Sequence, residues 1–448
     1  MSHYKPYPAY KDSGVEWLDA IPDNWEISRL GFEAWVRARL GWKGLKAEEY
    51  VDDGYAFLST PDIKGTEIDF SDVNFITEER YEESPEIKLA VGDVLLAKDG
   101  STLGTVNVVR KLPRAATVNS SIAVITPFQR LTPLYLYYLF KCSYLENTIQ
   151  VLKGGMGVPH LFQWDINKFK IPLPGMLEQA EIAAHLDLET ARIDALIEKK
   201  TRFIELLREK RQALITHAVT KGLDPNVKMK DSGVEWLGEV PEHWAVKRLK
   251  FIAAVQTGIA KGKDNAEKDT VEVPYLRVAN VQDGYLDLDE VATIEVSTAD
   301  LPRYLLQPGD VLMNEGGDFD KLGRGHVWHG EIEPCIHQNH VFAVRPHGVS
   351  SEWLNTFTSS AAAQFYFMGR SKQSTNLASI SSSNLMELAV PLPSEEEQRL
   401  ILDGLHRQAA QVNALLARTE RSIELLKERR SALITAAVTG QIDLREAV

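Results

Sequence analysis

The feature that most constrains this chain is an internal repeat. Residues 11–32 (KDSGVEWLDAIPDNWEISRLGF) closely match residues 230–251 (KDSGVEWLGEVPEHWAVKRLKF). The match recurs downstream: IPLPGMLEQ (171–179) with VPLPSEEEQ (390–398), and IELLREKRQALITHAVT (204–220) with IELLKERRSALITAAVT (423–439). A repeat of this length means that one structural unit occurs twice. Each half therefore has a divergent body between similar ends.

The similar ends predict the same structural role in both halves, whereas the divergent bodies are where specificity for a ligand would lie. Trp25 and Trp244 occupy matching positions and are predicted to be core anchors at the start of each body. The alternative is a duplicated scaffold whose middle parts drifted without binding anything. The repeat alone does not exclude it.

Composition sets further bounds. The chain of 448 residues is too long for a single hydrophobic core, because such cores stop growing near ~250 residues. Several domains are therefore expected. The net charge of −13 argues against indiscriminate coating of nucleic acid, so any DNA binding has to be local. The sequence shows no signal-peptide pattern and no apolar run near the ~20 residues of a membrane span, which predicts a cytoplasmic protein. Cys142 and Cys335 are then expected to be buried, reduced thiols.

Two long helices are predicted at the ends of the repeats. Pro174 and Pro393 mark their starts, and Gly222 and Gly440 mark their ends. About 41 residues at ~1.5 Å each give a rod of roughly 60 Å. Apolar residues at helical spacings predict that the two helices pack against each other. The predicted packing residues are Ile182, Leu186, Ile193, Leu196, Phe203, Leu207, Leu214, Ile401, Leu405, Val412, Leu415, Leu426 and Leu433.

The bodies are predicted to mix short strands with a few helices. Strand-like runs include YAFLST (55–60), DVLLAK (93–98), SIAVITP (121–127) and HVFAVRP (340–346), and helices are predicted within 131–150 and 351–368. The fold class is therefore α+β, with two mixed domains, two long helices that pair with each other and a pseudo-two-fold internal repeat. The expected segments are 1–175, 176–224, 225–393 and 394–448.

Catalytic motifs are missing from the sequence. A DNA methyltransferase would carry an Asn/Asp-Pro-Pro-aromatic element, and an ATPase would carry a phosphate-binding G-x-x-x-x-G-K-[ST] loop; neither occurs. The histidines His326, His329, His337 and His340 have no cysteine or spaced carboxylate to complete a zinc site. The chain is predicted to have no catalytic residue, metal or cofactor.

Candidate DNA-contacting residues lie in polar loops of both bodies. Arginine and lysine suit phosphates, whereas serine, threonine, asparagine and glutamine suit base edges. A solvated basic loop, or glycines with a purely conformational role, remain alternatives. The candidates are Arg37, Arg39, Trp42, Lys43, Lys46, Lys98, Ser101, Thr102, Asn119, Ser120, Lys153 and His160 in the first body, and Lys261, Lys263, Asn314, Lys321, Arg324, His337, Gln338, Asn339, Arg370, Lys372, Gln373 and Asn376 in the second.

The repeated anchors KDSGVEWL, PLP with EQ, and ALIT with AVT resemble type I restriction-modification specificity subunits over the whole chain. ARLGWKGLKAEEY, EGGDFDKLGR and QNHVFAVRP also look like target-recognition-domain variants of that family. The resemblance implies that residues 26–170 and 245–389 are target recognition domains separated by two antiparallel helices. It also implies a chain that directs methylation and restriction without catalysing either.

The resemblance further implies the partners. These are double-stranded DNA with a bipartite site, two methyltransferase subunits that use S-adenosylmethionine to modify adenine, and restriction subunits that use ATP and magnesium; no membrane is expected. Two related domains on a helix pair would read half-sites about one helical turn apart, ~34 Å. Two alternatives remain open: a scaffold that binds no DNA, and a solitary DNA-binding regulator. The acidic charge and the helix pattern favour dependence on partners.

Overall fold

The computed structural model of the chain describes residues 4–445 except 17, 40–44, 153–159, 262–268, 318, 320–321 and 374–377. The chain forms two compact units. Unit 1 comprises Met1–Thr201 with Arg421–Val448, and unit 2 comprises Arg202–Glu420. The C-terminal segment thus completes the first unit, a closure that the four consecutive segments predicted above do not include.

Unit 1 consists of short strands and helices followed by the first part of a long helix. Its strands are β1 (Tyr10–Asp12), β2 (Ala20–Pro22), β3 (Glu26–Arg29), β4 (Ala34–Arg37), β5 (Tyr55–Leu58), β6 (Asn74–Ile76), β7 (Val94–Ala97), β8 (Val106–Val108), β9 (Ala116–Val118), β10 (Ile122–Pro127) and β11 (Lys170–Leu173). Its helices are α1 (Leu30–Glu33), α2 (Glu78–Glu82), α3 (Pro133–Phe140), α4 (Ser143–Leu152), α5 (Gln163–Ile166) and α6 (Met176–Lys221), of which α6 continues into unit 2.

The centre of unit 1 is a four-stranded antiparallel sheet in the order β4-β10-β7-β8. Alternate residues of a strand point to opposite faces. In β7, Val94 and Leu96 therefore join one hydrophobic core while Leu95 and Ala97 join another. Burial on both faces explains why this strand is an unbroken apolar run. A three-stranded sheet, β6-β5-β9, and the pairs β1-β2 and β3-β11 complete the body.

Unit 2 has the same kinds of element. Its strands are β12 (Met229–Asp231), β13 (Glu239–Pro241), β14 (Ala245–Arg248), β15 (Ala253–Thr257), β16 (Thr270–Leu276), β17 (Ala292–Ser297), β18 (Val311–Asn314), β19 (Gly316–Gly317), β20 (Gly325–Val327), β21 (Ile336–His337), β22 (Val341–Pro346), β23 (Lys372–Gln373), β24 (Ala378–Ser379) and β25 (Ala389–Leu392). Its helices are α7 (Leu301–Tyr304), α8 (Ser351–Thr358), α9 (Ala361–Arg370), α10 (Ser382–Met386) and α11 (Glu395–Val438), of which α11 continues into unit 1.

The repeat in the sequence is a repeat of the fold. The sheet order β15-β22-β18-β20 in unit 2 corresponds to β4-β10-β7-β8 in unit 1. Likewise β17-β16-β21 corresponds to β6-β5-β9, with the third strand parallel to the second in both sheets. The α+β class and the internal repeat predicted from the sequence are confirmed. Unit 2 adds a small sheet, β19-β24-β23.

A buried glutamine fastens each long helix to its body. The carboxamide oxygen of Gln179 accepts from the backbone of Thr132 at 2.8 Å, and its nitrogen donates to the carbonyl of Pro174 at 2.9 Å. In unit 2 Gln398 accepts from Ser350 at 3.3 Å and donates to Pro393 at 3.0 Å. Buried amides need such partners on both sides. This bonding gives the repeated PLP and EQ motifs a structural role.

Each long helix ends on a tryptophan of the core. Trp25 and Trp244 are fully buried, as predicted. Gly440 follows α11 with φ +74°, and a Cβ at that position would lie 3.2 Å from Trp25. Gly222 follows α6 with φ +77°, and its Cβ would lie 3.4 Å from Trp244. The predicted ends of both helices are confirmed, because glycine alone combines left-handed backbone with this close approach.

Within each unit the parts of α6 and α11 run antiparallel. In unit 1 Asp194 pairs with Arg430 at 2.9 Å, while Glu178, near the start of α6, lies 4.0 Å from Arg445 beyond the end of α11. In unit 2 Arg208 pairs with Glu420 at 3.2 Å. There Leu223, just beyond α6, lies against Gly404, near the start of α11.

The predicted packing residues of the helices are buried in most cases but not in all. Leu196, Phe203 and Leu415 are 43%, 44% and 44% exposed, so their assignment to a packed seam is wrong. The reason is that the domain body as well as the partner helix selects the buried stripe: Ile182 joins the unit 1 core and Ile401 the unit 2 core. Leu214 and Leu426 are half-buried, and the buried residues are Ile182, Leu186, Ile193, Leu207, Ile401, Leu405, Val412 and Leu433.

The burial of both cysteines, which was expected from the composition, is confirmed. Cys142 and Cys335 are free and buried, and burial raises the pKa of each thiol to about 12. Both thiols are therefore protonated at neutral pH. In the part of the chain that the structure describes, no helix has the length and apolar character needed to cross a membrane.

Candidate nucleic-acid interface

Three segments of unit 1 meet at one end of the four-stranded sheet. They are the β7–β8 loop (98–105), the β9–β10 loop (119–121) and the segment before α5 (160–162). The backbone nitrogen of Lys98 donates to the carbonyl of Ser121 at 2.8 Å, and the carbonyl of Lys98 accepts from Leu161 at 2.7 Å. Lys98 thus joins the three segments into one surface, which we call the unit 1 loop cluster.

The unit 1 loop cluster presents short polar side chains. Ser101 and Ser120 are exposed, while Thr102 and Asn119 are half-buried. The carboxamide oxygen of Asn119 accepts from the backbone of Ser121 at 3.1 Å, so bidentate reading of adenine by Asn119 would require that bond to open. The remaining amide and hydroxyl groups suit single contacts to base edges or phosphates.

A lysine and a histidine share one carboxylate in this cluster. The ammonium of Lys98 lies 3.6 Å from Asp99, and Nδ1 of His160 lies 3.8 Å from the same carboxylate. Partial burial, reinforced by the nearby Lys98, lowers the pKa of His160, while Asp99 opposes the shift. His160 is therefore neutral at neutral pH and presents an uncharged ring beside Lys98.

Unit 2 has a matching surface, the unit 2 loop cluster, formed by residues 259–261, 315–317 and 338–340 with β23 and β24. The backbone nitrogen of Glu315 donates to His340 at 2.9 Å, and its carbonyl accepts from Ile380 at 2.9 Å. These bonds repeat those of Lys98 in unit 1. The backbone nitrogens of Asn119 and Gln338 also correspond, since they donate to Leu58 and Leu276 at 2.8 Å each.

The side chains of the two clusters differ although their backbones correspond. Unit 2 exposes Lys261, Lys372 and Gln373, with Gln338 and Asn339 half-buried. Glu315 stands where unit 1 has Lys98, and its carboxylate lies 2.7 Å from Nδ1 of His340. One cluster thus has a cation at its centre and the other an anion. The two clusters therefore differ in charge although the same backbone hydrogen bonds build them.

Two predicted DNA contacts in the first basic stretch are wrong. The side chain of Arg37 is 8% exposed, pairs with the buried Asp93 at 2.9 Å and also donates to Thr126. The side chain of Arg39 is 4% exposed and lies 3.7 Å from Glu83. The buried carboxylate of Asp93 requires a paired cation, and the side chain of Arg39 is itself buried, so both arginines serve the fold and not a ligand.

Two predicted DNA contacts in the second body are also wrong. Asn314 and His337 are fully buried. The amide nitrogen of Asn314 donates to Val281 at 2.8 Å, and Nδ1 of His337 donates to the carbonyl of Val341 at 2.7 Å. They occupy the positions of Ala97 and Val118 in unit 1, inside the core. In the sequence Asn314 stands between an apolar run and the polar segment that follows it, and in the structure it is the last residue of strand β18.

The other candidates are distributed as follows. Lys46 is exposed before a short turn, Arg370 is exposed at the end of α9, and Arg324 is half-buried. Arg324 lines a cleft of about 600 Å³ with Tyr285 and Phe365. All three lie outside the loop clusters. Trp42, Lys43, Lys153, Lys263, Lys321 and Asn376 lie outside the described residues.

Sequence reasoning identified His160 but missed the exposed aromatic residues Phe162 and Trp164, which follow it next to the unit 1 loop cluster. The rings of His160 and Phe162 lie 4.6 Å apart, those of Phe162 and Trp164 lie 6.3 Å apart, and the ammonium of Lys168 lies 3.8 Å from the Trp164 ring centre. We call His160, Phe162, Trp164 and Lys168 the aromatic row. A residue-by-residue comparison with the second repeat, which has SISSSNLME here, would have revealed it.

No metal centre accompanies these surfaces within the described residues, where no group of three or more His, Cys, Asp or Glu side chains is placed to bind an ion. The rings of His326 and His329 do contact each other at 5.9 Å, and burial lowers the pKa of His326. The described histidines are therefore no ligand set.

The sequence matches a known protein family in both halves of the chain. The family is described as the type I restriction modification DNA specificity domain, and it matches residues 22–206 and 241–425. This chain belongs to that family. The two matched ranges contain both loop clusters, the aromatic row and most of both long helices.

Relatives of the specificity-domain family match the chain along nearly its whole length. The specificity subunit of the type I restriction enzyme EcoKI, from Escherichia coli K12, is 22% identical to this chain over 94% of this chain and 90% of its own length. The MjaVIII specificity subunit of Methanocaldococcus jannaschii is 24% identical over 95% of this chain and 94% of its own. The divergence explains why individual base contacts do not transfer from them.

Solved structures share the fold. A chain from a structure of type I R-M complex assembly and conformational transition superposes with a TM-score of 0.71 at 18% identity, covering 94% of this chain and 99% of that one. The HsdS subunit from Thermoanaerobacter tengcongensis superposes with a TM-score of 0.53 at 18% identity, covering 94% and 98%. The architecture of this specificity-domain protein is therefore that of known HsdS chains.

Proposed function

We propose that this chain is the DNA-specificity subunit of a type I restriction-modification system, in which unit 1 and unit 2 each read one part of a bipartite DNA site. The pair of loop clusters carries the proposal. The same backbone hydrogen bonds build both clusters, while the side chains that they present differ. One scaffold used twice with different reading groups is what a split, asymmetric recognition site requires.

Each cluster is suited to DNA binding by the chemistry of its side chains and by the rigid sheets that hold its loops. Hydroxyl and amide groups can bond to base edges in a groove, and lysines can bond to phosphates. The loops extend from the strand ends of sheets that are buried on both faces. The side chains that would contact DNA are therefore held by rigid elements. The overall acidic charge confines binding to these local surfaces.

The chemistry belongs to partner subunits in this proposal. Two methyltransferase subunits would bind S-adenosylmethionine and methylate adenine, and restriction subunits would use ATP and magnesium. This chain would bind no cofactor of its own. Its relatives are specificity subunits of restriction enzymes, which supports a directing role for this chain. Exposed Leu196 and Leu415, at matching places in the two long helices, suit contacts with protein partners.

A retardation assay tests the proposal against its alternatives. The chain, alone and assembled with its methyltransferase subunits, is mixed with genomic fragments and with unrelated duplexes at fixed salt. We expect specific retardation by the assembled complex, with adenine methylation when S-adenosylmethionine is added. A scaffold would retard no duplex even when assembled. A solitary regulator would bind specifically without partners and support no methylation.

A further inference from the structure

The aromatic row is a feature of unit 1 that unit 2 lacks. Leu161 and Ile380 are equivalent, because each donates its backbone N–H to the junction residue of its cluster, Lys98 or Glu315. From this anchor the chains can be compared residue by residue. Phe162, Trp164 and Lys168 in unit 1 stand opposite Ser381, Ser383 and Glu387 in unit 2.

Phe162 gives helix α5 no side-chain cap, whereas its counterpart in unit 2 caps the equivalent helix. In unit 2 the hydroxyl of Ser381 caps α10 by accepting from the backbone of Asn384 at 3.2 Å. Phe162 holds the same position before α5 and makes no side-chain cap. Phe162 is 51% exposed and is not a member of the hydrophobic cores of unit 1, so core packing does not compensate for the missing cap. The loss of a helix cap without a gain in core packing indicates that Phe162 has a role at the protein surface.

The other two positions show the same exchange. Trp164 is 57% exposed where unit 2 has a serine. Glu387 of unit 2 is tied to the body, with its carboxylate 2.8 Å from Arg248 and 2.6 Å from Lys250. Lys168 instead lies over the ring of Trp164. Unit 2 thus has two hydroxyl groups and a carboxylate paired with Arg248 and Lys250, whereas unit 1 has two exposed rings and a cation at the same positions.

We propose, on the basis of the proposed function, that the aromatic row is a second DNA contact of unit 1, which holds the sugar-phosphate backbone beside the first half-site without reading bases. The row is continuous with the unit 1 loop cluster, because it shares His160 and the hydrogen bond between Leu161 and Lys98. Exposed rings pack on the apolar faces of deoxyribose, and Lys168 supplies the charge that attracts phosphate.

The proposal makes the two half-sites unequal. Unit 1 contacts DNA through its loop cluster and its aromatic row, whereas unit 2 has serines and an occupied glutamate at the equivalent place. The row therefore contributes affinity and salt dependence on the unit 1 side but no sequence preference. Removing it weakens binding and leaves the recognised bases unchanged.

The test uses the complex assembled with methyltransferase subunits and a duplex that contains its methylated sequence. Phe162→Ser/Trp164→Ser introduces the residues of unit 2, and Lys168→Glu does the same for the charge. We expect the double variant to bind roughly five- to tenfold more weakly, because it loses the apolar area that the two rings bury against deoxyribose. For Lys168→Glu the slope of log affinity against log salt should fall by about 1. Methylated sequences should stay the same.

Two controls keep the outcomes distinct. Phe251→Ser removes a ring in unit 2 that is 64% exposed and lies under Lys250, and it should leave affinity unchanged. Phe162→Ser restores a cap, so the melting temperature should be unchanged or raised; a lowered value would assign the ring a structural role and overturn the proposal.

Three further outcomes would also overturn it. Variants that bind DNA with the parent's affinity and salt slope would show that the row does not contact DNA. Variants that assemble with methyltransferase subunits more weakly, yet bind DNA normally when an excess of those subunits drives assembly, would assign the row to a protein partner. If the parent complex itself retarded no duplex, the proposed function would fail and this inference with it.

Discussion

Two arginines, Arg37 and Arg345, neutralise buried carboxylates in the central sheets of the two units. Arg37 lies 2.9 Å from Asp93, and Arg345 lies 2.7 Å from Asp310. Both aspartates belong to the repeated GDVL sequence and are 1% exposed. An arginine in a basic stretch of sequence suggests a DNA contact. Only the fold shows that a buried carboxylate lies next to its guanidinium group.

We predict that Arg37→Ala destabilises the protein without altering which bases are read. Removing the cation leaves Asp93 buried and unpaired, which costs about 3 kcal/mol of unfolding free energy. Urea denaturation measures the loss, and Lys46→Ala, exposed in the same stretch, should change stability by less than about 0.5 kcal/mol. Weaker DNA binding at unchanged stability would restore Arg37 to the interface.

His337 is a buried histidine whose protonation opposes folding. Burial lowers the pKa of His337, and Nδ1 is held by the carbonyl of Val341. The folded ring stays neutral where the unfolded ring takes up a proton, near its ordinary pKa of about 6.5. Its contribution to stability is therefore complete above about pH 6.5 and is lost progressively as the pH falls below that value.

We predict that His337→Val, which installs the residue of unit 1, reduces the acid sensitivity of unit 2. The gain in stability over the parent should be larger at pH 5.5 than at pH 7.5, measured by denaturant midpoints of the full chain. Asn314→Ala is the matched control, because it changes a neighbouring buried polar residue that does not titrate. Equal gains for His337→Val at both pH values would contradict this account.

At the scale of elements, the long helices were the most predictable parts of the fold. Proline before and glycine after a helical pattern located α6 and α11. Strands β5, β7, β10 and β22 were also visible as apolar runs. Two-residue strands such as β23 and β24 have no periodicity to detect. The loop clusters depend on hydrogen bonds between residues far apart in the sequence, which no local pattern contains.

The helices also provide a prediction about DNA spacing. Seven residues added between Thr201 and Arg202, together with seven between Glu420 and Arg421, lengthen both helices by about 10 Å. The unread spacer should widen by roughly 3 base pairs, at ~3.4 Å per pair. Insertion into one helix alone should abolish methylation by breaking the pairing. Methylation at an unchanged spacing by the doubly extended chain would exclude the helices as the ruler.

At the scale of the whole molecule, the repeat gives each unit its own hydrophobic core and its own loop cluster. Residues 421–448 complete unit 1, where Leu433 and Val438 join the core and the hydroxyl of Tyr135 donates to Val438 at 3.1 Å. The sequence showed the repeat but not this closure, because contiguous segments are the natural division of a linear chain. Specificity is therefore expected to be modular by unit.

We predict that exchanging residues 26–170 for those of another family member changes one half of the recognised site only. The fold supports the exchange, because β3 and β11 pair near the two junctions. Exchange of residues 245–389 is the matched control and should change the other half. A change in both halves from either exchange would show that the units do not read DNA independently.

The most direct measurement is the genome-wide mapping of methylated adenines in cells that express this chain with its methyltransferase subunits. Our account predicts one motif with two specified parts separated by unspecified bases of fixed number. A contiguous motif, or methylation that does not depend on this chain, would contradict it.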